Sequence, residues 1–144
     1  MAFVEQHPAE PCAHRHRLDV YGDGPFARTN AGRQLGAIPP LLAELAQELF
    51  AGRVDSISIS EYVPGQGVKP HTDRPEAGPA IRTLSLLGDA ELAFHSEQRT
   101  VTVQVPRRSL FAICGPCRSP PWKHALVPVT DRRISIAFRC AASA

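Results

Sequence analysis

Hydrophobic positions change their spacing once along this chain of 144 residues. Ile38, Leu42, Leu45 and Leu49 recur at i, i+4, i+7 and i+11, the spacing of one helical face, and Leu41 widens that stripe. Pro39 and Pro40 suit the first turn of such a helix, and Gly52 suits its C-terminal exit. From Asp55 onward the period falls to two. In Ser56–Tyr62 both isoleucines take one face, while three serines and Tyr62 take the other. Residues 81–87 and 90–95 are rich in strand formers between turn signals, and residues 100–105 alternate strictly. Pro106-Arg107-Arg108 then turns, residues 109–114 return, and Arg133–Arg139 forms a last strand. Residues 1–17 have no period, and residues 18–29 read as an extended segment broken by the Gly22-Asp23-Gly24-Pro25 turn.

One helix followed by at least six short strands predicts a mainly β, α+β fold. A double-stranded β-helix (jelly roll) with a supporting N-terminal helix is the simplest closed form at this length. Without repeats or a long linker, residues 1–144 are expected to form a single domain. The composition narrows this picture. A hydrophobic share of 43% against 21% charged residues excludes a disordered chain, and fourteen prolines favour short elements joined by turns. A net charge of +2 tolerates an anionic partner without marking a nucleic-acid footprint.

No run approaches the roughly 20 apolar residues of a membrane span. The N-terminal stretch also lacks the basic start and apolar centre of a secretory signal. A cytoplasmic protein is expected, with Cys12, Cys114, Cys117 and Cys140 reduced. The Cys114-Gly-Pro-Cys117 pair has no second CxxC to complete a zinc site, so it reads as small side chains at a strand end. His14 and His16 read as part of a solvated segment.

Chemistry enters at the glycine-rich turn Tyr-Val-Pro-Gly-Gln-Gly-Val-Lys-Pro-His-Thr-Asp, which runs from Tyr62 to Asp73. On an extended segment His71 and Asp73, two residues apart, project to the same face. An imidazole and a carboxylate so placed, with one more histidine, make a 2-His-1-carboxylate triad that leaves open positions on iron(II). His124 follows a loop and precedes the final strand, so a closed sandwich can return it to the pair. The plainer alternatives are a turn-capping histidine and a histidine packed beside Trp122. His95, His7, His14 and His16 have weaker claims.

The final strand places Arg133, Ser135, Ala137 and Arg139 on one face and Ile134, Ile136 and Phe138 on the other. At ~3.3 Å per residue the two arginine Cα atoms lie about 20 Å apart. Side chains leaning inward leave a gap that suits a short dicarboxylate, with room over Ser135 and Ala137. The alternative is two exposed arginines guarding an edge strand. Tyr62 shares its face with Ser60, Ser58 and Ser56, a hydroxyl-rich surface suited to a polar cosubstrate.

At these residues the sequence resembles the AlkB family of Fe(II)- and 2-oxoglutarate-dependent dioxygenases. The resemblance runs through Ser60-Glu61-Tyr62-Val63-Pro64-Gly65-Gln66-Gly67, His71-Thr72-Asp73, Thr83-Leu84-Ser85-Leu86 and Pro106-Arg107-Arg108-Ser109-Leu110. It continues through Gly115, Arg118, Trp122 and His124 to Arg133-Ile134-Ser135-Ile136-Ala137-Phe138-Arg139, covering roughly residues 55–139. It implies iron held by His71, Asp73 and His124, with 2-oxoglutarate and O2 as cosubstrates. It further implies that Arg133 and Tyr62 hold one carboxylate of 2-oxoglutarate, with Arg139 nearer the metal end and Ser60 at a position that often carries asparagine. The implied reaction hydroxylates an N-methyl or similar carbon, and the product collapses to release formaldehyde. Alkylated nucleic acid is the leading partner class. Alternatives are the same oxidation of a protein or small molecule, and a noncatalytic binding module that keeps the fold. Relatives carry a longer N-terminal region that builds a lid over the base, so a shortened lid region is expected here.

Overall fold

A computed structural model describes residues 15–50 and 53–141. Gly52, Cys12, His7 and His14 lie outside the described residues. Ten strands and two α-helices follow in the order β1 (Arg17–Gly22), α1 (Pro25–Thr29), β2 (Arg33–Gln34), α2 (Pro40–Phe50), β3 (Ser56–Tyr62), β4 (Val68–His71), β5 (Ala80–Leu87), β6 (Ala90–His95), β7 (Thr100–Val105), β8 (Ser109–Cys114), β9 (Lys123–Leu126) and β10 (Arg133–Arg139). They form a six-stranded sheet, β2-β1-β3-β10-β5-β8, and a four-stranded sheet, β4-β9-β6-β7. The fold is mainly β, two facing sheets of a jelly roll with a helix supporting the larger one. No helix among the described residues is long and apolar enough to cross a membrane.

The period-two alternation decides which side of the large sheet is core. Ile57 and Ile59 of β3 and Ile134, Ile136 and Phe138 of β10 share the outer face and pack with Leu42 and Ala46 of α2. Burying several such side chains, each worth about 1.5–3 kcal/mol, fixes the register, because a one-residue slip would turn the serines into this layer. The inner faces of the two sheets meet in a second cluster of Tyr62, Leu92, Val105 and Leu126. Between these layers β3 and β10 turn Ser58, Ser60, Ser135, Arg133 and Arg139 inward.

Two expectations need correction, and three short strands are added to those expected. Residues 25–29 are a short helix rather than extended chain. Pro25 starts it, the Thr29 hydroxyl donates to the Pro25 carbonyl at 2.8 Å, and the Ala27 amide donates to Ser56 Oγ at 3.3 Å. Leu41 does not widen the buried stripe of α2, since it is 67% exposed, and Leu49 is 40% exposed. Ala46 takes the buried position that period counting gave to the leucines. Finally, β2, β4 and β9 are strands of four residues or fewer without alternation, defined by the pairing of β2 with β1, of β9 with β6 and of β4 with β9.

Candidate metal centre

Two short strands bring the candidate ligands together. β4 and β9 pair antiparallel, and His71 is the register partner of His124. β9 also pairs with β6, placing Phe94 opposite His124. The two imidazoles lie 4.4 Å apart, centroid to centroid, tilted by 57°. Asp73, just past the end of β4, turns its carboxylate between them. His71 Nε2 is 3.2 Å from Asp73 Oδ1, and His124 Nε2 is 3.2 Å from Asp73 Oδ2. One ligand atom from each of the three residues falls within 4.8 Å of the others.

The hydrogen bonds around these atoms bear on whether a cation fits. His71 Nδ1 lies 2.8 Å from the Lys69 carbonyl, which can only accept, so Nδ1 carries a proton, and Nε2, which faces Asp73 Oδ1, is the nitrogen free to bind a cation once its own proton leaves. Burial alone would raise the Asp73 carboxyl, but hydrogen bonds from His124 and His71 outweigh it and hold the group well below the usual carboxylate range. Its hydrogen bond to Asp73 raises His71, against a smaller opposing effect of burial. An anion flanked by two imidazole nitrogens is the donor set of a divalent first-row metal. The residues present therefore fit an iron(II) ion held from one side.

Beside the triad a cavity of about 110 Å³ runs between the sheets. Its floor is the inner face of the large sheet, where Ser135 pairs with Ser60 on one side and Ser85 on the other. Tyr62 is the register partner of Arg133 and lines the same cavity. Arg133 is 2% exposed, and its Nη1 donates to Ser85 Oγ at 2.6 Å and to the Gly88 carbonyl at 3.1 Å. Its Nε is buried without a partner, and among the described residues no carboxylate forms an ion pair with it. Burial lowers its affinity for a proton, and Tyr62 and Asp89 partly offset that.

Arg139 lies at the other end of β10, donating from Nη1 to Ser58 Oγ at 2.7 Å and stacked 3.8 Å from the centre of the Phe26 ring. Burial pushes it down to about 10, with Asp73 the main opposing charge, so it remains a cation at neutral pH. A buried guanidinium with an unused donor, at one end of a hydroxyl-lined cavity, suits a carboxylate. The opposite end holds the triad and Arg139.

All eight residues singled out in the sequence line this one cavity: Ser60, Tyr62, His71, Asp73, His124, Arg133, Ser135 and Arg139. His95 does not join them; its Nδ1 lies 3.0 Å from Thr100 Oγ1. Sequence reasoning gave no role to Arg15, which lines the cavity, or to Ser85, the partner of Arg133. The period-two face of Thr83 and Ser85 on β5 was the available signal for Ser85. The CxxC cysteines remain free, Cys114 exposed and Cys117 half-buried.

No family model matches the chain. Over 122 residues it is 30% identical to the uncharacterised protein L905 of Acanthamoeba polyphaga mimivirus, covering 71% of this chain and 58% of that protein. It is 37% identical over 76 residues to the Xenopus tropicalis tRNA (carboxymethyluridine(34)-5-O)-methyltransferase alkbh8, covering 51% of this chain and 12% of that protein. The Mus musculus ALKBH8 protein is 32% identical over 100 residues, covering 65% of this chain and 15% of that one. The chain thus spans just over half the viral relative and a small part of the vertebrate ones. Among solved structures, OsALKBH1 superposes with a TM-score of 0.62 at 14% identity, covering 76% of this chain and 69% of that one. At that identity the likeness is one of fold. In the fold it shares with OsALKBH1, and in the sequence it shares with the ALKBH8 proteins, the chain is AlkB-like.

Proposed function

We propose that the chain is a single Fe(II)- and 2-oxoglutarate-dependent dioxygenase domain that oxidatively removes alkyl groups, with alkylated nucleobases of DNA or RNA as the leading substrate class. The observation that carries this reading is the pairing of two features in one cavity. A His-Asp-His donor set stands at one end and, at the other, a buried arginine that has no carboxylate partner among the described residues.

In this reading His71, Asp73 and His124 hold the iron. Arg133 and Tyr62 take the far carboxylate of 2-oxoglutarate, and Ser60 and Ser135 leave room for its carbon chain. Arg139 steadies charge beside Asp73. When bound, the iron couples reduction of O2 to oxidation of 2-oxoglutarate to succinate and CO2 and to hydroxylation of a substrate C–H bond. The chain's own share is positioning. The proton on His71 Nδ1 is held by the Lys69 carbonyl, which fixes the ring. Ile81, Leu92, Ile113 and Leu126 add apolar walls to the cavity. Hydroxylation at an N-methyl carbon gives a hemiaminal that collapses to the free amine and formaldehyde.

The nucleobase assignment is supported by the partial likeness to proteins named for a tRNA uridine. It is tested by succinate release with single-stranded DNA and RNA oligonucleotides bearing methylated bases. Stimulation by one oligonucleotide, with formaldehyde formed in step, is the expected outcome. Unstimulated succinate release with every oligonucleotide would move the substrate to a protein or small molecule. Absence of succinate from a protein that binds metal would favour a noncatalytic binding module.

A further inference from the structure

We infer that Arg118 is a positioning residue for Asp73 and for the loop that carries it, an inference that rests on reading Asp73 as a metal ligand. Arg118 ends the 3-10 turn Gly115–Arg118, on the segment that leads to His124, and its side chain is 7% exposed. Its guanidinium reaches across to residues 73–78. Nε and Nη2 donate to the Gly78 carbonyl at 2.9 and 2.6 Å, and Nη2 also donates to the Arg74 carbonyl at 3.2 Å. Nη1 lies 3.4 Å from the Asp73 carbonyl and 3.9 Å from Asp73 Oδ2.

One side chain therefore spans three carbonyls of a single loop, from the residue that carries the carboxylate to the glycine that closes the turn. The same two segments are tied a second time, where the Thr72 hydroxyl donates to the Trp122 carbonyl at 2.7 Å. Both ties join the His71–Asp73 segment to the His124 segment. The relative placement of the three ligand atoms depends on that junction.

Distance separates shape from charge. The carbonyl oxygens lie closer to the guanidinium than the Asp73 carboxylate oxygen does, and 3.9 Å is outside hydrogen-bond range. The planar fork of five donors is thus the operative property, and a lysine ammonium, a single flexible point charge, cannot span the three carbonyls. Arg118 is not among the residues that line the triad cavity, so it acts through Asp73 rather than on a ligand.

The test compares Arg118→Lys and Arg118→Gln with the wild type by Mn(II) titration, free Mn(II) being followed by electron paramagnetic resonance. Urea unfolding in metal-free buffer runs alongside. Both variants are expected to unfold cooperatively without metal and to bind Mn(II) about tenfold or more weakly than wild type, the range for partners behind metal ligands. The lysine should do no better than the glutamine. Wild-type affinity in either variant, or rescue by lysine, would overturn the inference. Failure of both variants to fold in metal-free buffer would also overturn it, making Arg118 a fold-holding residue. A wild-type protein that binds no Mn(II) removes the ligand reading as well, which separates that failure from this one.

Discussion

Arg133 illustrates how a side chain that is costly for stability marks a site. A guanidinium is rarely buried without a carboxylate, because the lost hydration is repaid only in part by neutral hydrogen bonds. Here Ser85 and Gly88 satisfy one nitrogen and leave Nε unpartnered. Arg133→Met should therefore leave the melting temperature unchanged or raise it, while abolishing stabilisation by 2-oxoglutarate in differential scanning fluorimetry. A sharp fall in melting temperature would mean that the cation serves the fold. His71 and Asp73 lead to a pH prediction. His71 is raised, so its contribution to stability is complete below the ordinary histidine value of about 6.5 and fades as pH rises through the higher folded value. Asp73 is lowered, so its contribution is complete above about 3.9 and fades on acidification. In metal-free buffer the gap in urea midpoint between wild type and Asp73→Asn should be widest between those values and narrow on either side. A gap that keeps growing above neutral pH would contradict the assignment.

At the scale of elements, six of the seven strands of six residues or more were legible from strand formers between turn signals, with the alternation plainest in β3, β7 and β10. The helix was legible too, although its buried stripe shifted: Ala46 is buried where counting favoured Leu49. What escaped was structure held by partners. α1 forms under the Ser56 hydroxyl, and β4 and β9 are too short to show a period, yet these two strands carry His71 and His124. The spacing of His71 and Asp73 implied a shared face, whereas the return of His124 rests on β9 pairing with both β4 and β6, a contact no local pattern encodes. The loop after β4 makes a further demand. Gly78, at φ 89° and ψ 175°, occupies a backbone region that only glycine enters readily, and a Cβ there would strike the Cys140 carbonyl. Gly78→Ala should cost about 1–3 kcal/mol or more in urea unfolding. It should also weaken metal binding, because the displaced carbonyl is the one Arg118 grips. A neutral substitution would show that the loop can adopt another path.

Across the whole molecule, two sheets divide the labour. The large sheet turns Ile57, Ile59, Ile134 and Ile136 outward to α2 and Ser58, Ser60, Ser135, Arg133 and Arg139 inward, and the small sheet closes the cavity with both histidines. This arrangement separates the residues that secure the fold from those that face the cavity, so cavity substitutions are expected to alter ligand binding before stability. The central claim is that the His-Asp-His set and Arg133 belong to one metal and cosubstrate site. Its most direct test is anaerobic titration of the apoprotein with Fe(II) and 2-oxoglutarate, watching for the weak visible charge-transfer band of their chelate. A saturable band should appear with the wild type, disappear in His71→Ala, and require much more 2-oxoglutarate in Arg133→Met. A folded wild-type protein that gives no band, or one whose band survives His71→Ala, would contradict the account.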